Sequence, residues 1–150
     1  MYLAELLDRT GLDVLGHLDR QVAVPVIDGL QAQGDLLVVP EAMADGVTAQ
    51  GGWHALPREG AELVRGGDGT NPHTLVADRG SCRLTIWLVD PERLAVAAIH
   101  NTRPVYLVHP EHGATGIAPG RWLVRRQREE SGFRRIGSSF YQGGPVLIAD

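Results

Sequence analysis

The chain has 150 residues and a formal net charge of −4, a length suited to one domain burying roughly 70% of the surface its unfolded form exposes. Its fourteen basic side chains are all arginine, which excludes Schiff-base lysine chemistry, a Ser-Lys dyad and a Walker-type phosphate lysine. A single cysteine, Cys82, excludes an internal disulfide.

No apolar run approaches ~18 residues and no leader-like apolar region follows Met1. The sequence therefore reads as soluble, with no membrane partner, and as cytoplasmic or part of a virion assembled in the cytoplasm. Nineteen glycines and nine prolines point to many turns and few long helices.

Residues 1–20 form the best helical candidate. Leu3, Leu6 and Leu7, then Leu12, Leu15 and Leu18, recur at spacings of three and four, with Gly11 between the halves. One kinked helix or a helical hairpin is expected, with Thr10 capping the second half. Its leucine stripe is expected to pack on the same chain.

After Gln21 the apolar period becomes two. Val22 to Ile27 and Leu30 to Val39 flank Asp28-Gly29, the dipeptide of a tight hairpin. Pro25 lacks an amide donor, which places its strand at an edge or a bulge. Glu41 to Gly52 reads as a loop, and Ala61 to Arg65 as a short strand. The GGDGTNP segment, Gly66 to Pro72, reads as a turn-rich connection.

Strands are predicted at His73 to Ala77, Cys82 to Val89, Arg93 to His100, Val105 to His109 and Arg121 to Gln127, then at Phe133 to Ile136 and Val146 to Ala149. The links at Asp90-Pro91-Glu92 and Asn101 to Pro104 are short enough for antiparallel neighbours. The pattern gives a mainly β fold, an antiparallel β-sandwich or partly open barrel behind an N-terminal helical segment (1–20), with 21–150 as the β domain.

Chemistry-bearing residues concentrate between Leu107 and Glu130. His109 and His112 bracket Pro110-Glu111, and His100 ends the preceding strand. Imidazole with carboxylate suits zinc or iron, with Glu111 or Asp68 as base. Pro110 opposes the helix on which a three-residue histidine spacing is most useful, so these three are weak metal candidates and no cofactor is expected. Asp68, Asn71 and His73 lack the pattern of a calcium loop. Ser81, Ser138 and Ser139 lie outside any nucleophile elbow. Cys82 alternates with Leu84, Ile86 and Leu88 on one face, as a small buried thiol does.

The arginine half is the stronger candidate. Arg121, Arg125, Arg126, Arg128, Arg134 and Arg135 stand against Glu129 and Glu130, a local +4 that leaves −8 for the rest of the chain. Trp122, Val124, Arg126 and Arg128 share one face of an extended strand, and Arg121, Leu123, Arg125 and Gln127 the other. An acidic protein surface, phosphate or nucleic acid can dock on such a strip. The bland alternative is a solvated edge strand whose arginines discourage aggregation.

QGDLLVVP (Gln33 to Pro40), LVHPEHG (Leu107 to Gly113), APG (Ala118 to Gly120) and VRRQRE (Val124 to Glu129) together resemble small bacterial and phage-borne proteins of unassigned activity. The resemblance implies a compact β domain and no known reaction. The chain departs from it in the leading helix, the Glu41 to Arg65 insertion and the tail after Gly132. It has Thr70-Asn71-Pro72-His73 where a Gly-His-x-His turn is frequent.

Three functions follow as expectations. The first is a non-enzymatic interaction or assembly protein, a homo-oligomeric component such as a phage capsid or decoration protein. The second is a small metal-dependent enzyme using His100, His109 and His112. The third is a nucleic-acid-binding module on the Arg121–Arg135 strip.

Overall fold

Period-two alternation in the sequence becomes two sheets whose inner faces share one core. The structure, a computed structural model, describes residues 1–12, 23–64 and 72–127. The first half holds α1 (Leu3–Thr10), β1 (Val26–Ile27), β2 (Gln31–Gln33), β3 (Leu36–Pro40), β4 (Thr48–Ala49), β5 (His54–Ala55) and β6 (Ala61–Val64). The second holds β7 (His73–Ala77), β8 (Cys82–Thr85), β9 (Leu88–Val89), β10 (Ala95–Asn101), β11 (Val105–His109), β12 (Gly113–Ile117) and β13 (Gly120–Arg126).

One sheet runs β1-β12-β11-β7-β6 and the other β2-β3-β13-β10-β8-β5, with β4 and β9 forming a separate ribbon. Neither sheet closes on itself among the described residues, so the fold is an open sandwich with no closed barrel. Leu36, Val38, Trp122, Val124, Ile99 and Leu84 of the six-stranded sheet meet Leu75, Ala77, Val105, Leu107 and Ile117 of the other in one buried cluster.

The helix adds a third layer. Tyr2 N–H donates to the Glu5 carboxylate at 3.0 Å, and Gly11, at φ +73°, closes the far end. Leu3, Leu6 and Leu7 pack with Val76, Tyr106 and Val108 on the outer face of the five-stranded sheet, so the leucine stripe does cover its own domain. This double coverage explains why β7 and β11 are buried at every position. The Thr10 hydroxyl donates back to Leu6 O at 3.0 Å and accepts from Leu12 N–H. The expected second helical half lies mostly outside the described residues.

Two expected neighbours are separated. Asp28-Gly29 does not make a hairpin: β1 pairs parallel with β12 in one sheet, while β2 belongs to the other. The hairpin is β2–β3, turning at Gly34-Asp35, where Gly34 takes φ +56°. As Pro25 indicates, β1 is an edge strand. The Asn101–Pro104 link likewise crosses between sheets, because β10 pairs with β8 and β13 and β11 with β7 and β12. Buried Asn101 holds that crossing, donating to Arg103 O at 2.8 Å and Ala118 O at 3.1 Å.

Candidate metal centre

At one end of the sandwich the two inner faces stop being apolar. Along β7, His73 continues the inward face of Leu75 and Ala77; along β11, His109 continues that of Val105 and Leu107. The antiparallel register pairs Val108 with Thr74, and one step further brings the two histidines together. Both are at most 5% exposed. The tight Pro110–His112 turn then returns His112 over the same spot.

The three imidazoles form a triangle. Ring centroids lie 4.6 Å apart for His73–His109, 4.5 Å for His109–His112 and 6.5 Å for His73–His112. Two imidazoles bound to one tetrahedral metal have centroids roughly 5 Å apart, given metal–nitrogen bonds of about 2.0–2.1 Å. The two shorter spacings lie near that value, while the 6.5 Å between His73 and His112 exceeds it, so those two rings share one metal only after one of them moves inward. Ligand atoms of His109, Glu111 and His112 all lie within 4.8 Å of one another.

The six-stranded sheet supplies the opposite wall through the β2–β3 hairpin. Gln33 Nε2 donates to Leu107 O at 2.9 Å, which fixes its amide and aims Oε1 at His73 Nδ1, 2.9 Å away. An amide oxygen only accepts, so Nδ1 carries the ring proton. The lone pair of the neutral ring is then on Nε2, which faces Asp35 Oδ1 at 3.2 Å.

Two acceptors stay in contact at that distance only when a proton or a metal cation lies between them. Burial, followed by the neighbouring His109, outweighs the pull of Asp35 and lowers the His73 pKa to about 4. At neutral pH the second proton is absent. A separation of 3.2 Å is close to the edge of a tetrahedron with ~2.0–2.1 Å bonds, roughly 3.3 Å. Gln33 stands where the outer partner that fixes a metal-ligating histidine's tautomer is usually found.

His109 carries a cost. Its Nδ1 accepts the Glu111 N–H at 3.0 Å, and a neutral ring has one such lone pair. Metal ligation by either nitrogen therefore requires the Glu111 amide to let go. His112 and Glu111 are exposed and Asp35 is half-exposed, so the site opens to solvent on one side. Gly34 permits the closeness of the walls: a Cβ there would stand 3.0 Å from the His112 ring and 3.3 Å from His73 Cε1.

Residues 32–127 match DUF8820, a domain of unknown function. The chain belongs to the DUF8820 family. No curated protein and no solved structure matches it. The DUF8820 segment contains every residue of the cluster, from Gln33 to His112, while α1 lies outside it.

The sequence-derived site residues are distributed differently from expectation. His109 and His112 do come together, with Glu111 beside them. His100 does not join them. It faces outward from β10, paired with Arg83 and Arg121, at the end of the strands opposite the cluster. His73 lies beside His109 and His112 instead, its ring 4.6 Å from that of His109. Asp68 lies outside the described residues.

The arginine strand is not an edge. β13 sits between β3 and β10 in the middle of its sheet. Arg121 and Arg126 are exposed at its two ends and on opposite faces, while Arg125 is ion-paired to Glu92 at 3.1 Å. Arg128, Arg134 and Arg135 lie outside the described residues. Cys82 is buried, and burial pushes its thiol pKa up to about 12, which suits a packing role.

Proposed function

We propose that this domain binds a divalent transition metal, zinc in the first instance, at the open end of its sandwich. The donors available are imidazole nitrogens of His73, His109 and His112 and carboxylate oxygens of Asp35 and Glu111, of which a tetrahedral ion takes three and keeps its fourth position open. The observation that carries this reading is the His73 Nε2–Asp35 Oδ1 contact, two acceptors held together where two buried histidines meet the open end of the sandwich. Nitrogen and carboxylate donors without thiolate suit zinc, and also iron, nickel or copper. A metal bound here links the two sheets. Its solvent-facing side leaves room for a water or ligand, the feature that separates reactive from purely structural sites.

Thermal unfolding with and without zinc provides the test. Zinc at saturating concentration is expected to raise Tm by several degrees and chelator to reverse the rise. An unchanged Tm together with no bound metal overturns the reading.

A second reading is assembly, as a homo-oligomeric component such as a capsid or decoration protein. It is supported by exposed apolar side chains close together in sequence: Ile86 is 62% exposed, Trp87 66% and Val89 53%. Light scattering after size exclusion tests it, since a strict monomer at micromolar concentration counts against a homo-oligomer.

A further inference from the structure

Arg126 stands on the same wall as the metal centre. Gln33 pairs with Leu36 across β2–β3, and Leu36 with Arg126 across β3–β13. Directly opposite residues share a face of the sheet. Gln33 touches His73 and Leu36 is wholly buried, so this row faces inward and Arg126 ends it at the rim. Two strand spacings, roughly 10 Å, separate Arg126 from Gln33.

The backbone there is fixed to the turn that carries Asp35. Arg126 N–H donates to Leu94 O at 2.8 Å, and Gln127 N–H to Asp35 O at 2.9 Å. The Gln127 side chain donates to Gly34 O at 2.8 Å. Unlike Arg125, whose guanidinium is held by Glu92, Arg126 is exposed and has no ion pair among the described residues.

We infer that the centre takes an oxyanion ligand, a phosphate or carboxylate group, with one oxygen on the metal and another on the Arg126 guanidinium. This rests on the metal reading above. A cation with an open position attracts an anionic oxygen, and a guanidinium offers parallel donors to a second oxygen of the same group. The arginine and the histidines of the Leu107 to Glu130 segment thus serve one site from two sheets.

The test uses the full chain loaded with zinc and titrated with inorganic phosphate, then with acetate, by calorimetry. At least one probe is expected to bind, about tenfold or more weakly to the apo chain and to Arg126→Gln. Zinc stoichiometry should be retained in Arg126→Gln. Arg121→Gln, at the far end of β13, should bind like the parent chain. Zinc uptake with no affinity for either probe overturns this inference alone, as does full affinity in Arg126→Gln. Absence of zinc uptake overturns the metal reading and this inference with it.

Discussion

His73 and Asp35 meet at 3.2 Å from opposite sheets of the sandwich, and the other nitrogen of the same imidazole is already committed to Gln33. With the ring proton on Nδ1, the pair lacks a cation between its members. A proton is one such cation and a divalent metal another. Burial disfavours the first at neutral pH.

The proton side of that competition gives a pH prediction for the metal-free chain. The His73 pKa is lowered from 6.5 to about 4 in the folded state, so the unfolded chain binds the additional proton more readily. Stability rises with pH wherever the unfolded state holds more protons. The His73 contribution is complete above pH 6.5 and lost progressively from there to about pH 4. Urea unfolding across that interval should show a falling free energy, with a shallower fall in His73→Gln. Equal slopes in the two proteins would contradict the shift.

Gly34 is the position where a small change should disturb the site most. An alanine there must adopt φ +56° and press against His112 and His73. Left-handed backbone costs a non-glycine residue about 1–2 kcal/mol. Gly34→Ala is therefore expected to lose at least about 1 kcal/mol of stability and to bind zinc more weakly. Gly46→Ala takes the same kind of strain at φ +85° with open space around it, and should leave zinc affinity intact. Chemical denaturation and zinc titration of both variants distinguish backbone strain from crowding of the ligands.

Cys82 should be chemically silent in the folded protein. It is 2% exposed and its pKa is pushed up to about 12 by burial, so almost no thiolate exists at neutral pH. Reaction with a thiol-specific disulfide reagent should be negligible in native buffer and stoichiometric in denaturant. Rapid native reaction would mean that the core around β8 opens readily.

Much of the fold was legible. The leucine stripe of α1, the edge position of Pro25 and the strands at β6, β7, β8, β11 and β13 follow from periodicity and turn chemistry. β12 was missed because Gly113, Ala114 and Gly116 give a weak strand signal, yet Gly116 admits Val26 and Tyr106 within about 3 Å of the space its Cβ would take. The false hairpin at Asp28-Gly29 reflects a turn signal that specifies a bend and not which sheet receives the next strand.

The site was half legible. The spacing of His109 and His112 is visible in the sequence, but nothing in that spacing ties His73, which opens a strand after a glycine-rich segment, to them, and His100 stands among the candidates instead. Register between β7 and β11 decides that exchange, and register is non-local. One local signal was available: His73 and His109 each continue a buried period-two face to the end of a strand, which is unusual for a polar residue without a partner. The edge-strand alternative for the arginines fails for a related reason. Charged strand ends suggest an edge, but β13 is central, with Arg121 and Arg126 exposed at its two ends.

The most direct measurement is metal content and zinc affinity of the untagged chain, by dialysis and elemental analysis, beside His73→Ala, His109→Ala, His112→Ala and His100→Ala. One equivalent of tightly held zinc is expected in the parent chain and in His100→Ala. Each of the other three should lose affinity by about tenfold or more. Zinc that fails to bind the parent chain, or that binds the His73 and His100 variants alike, would contradict the assignment.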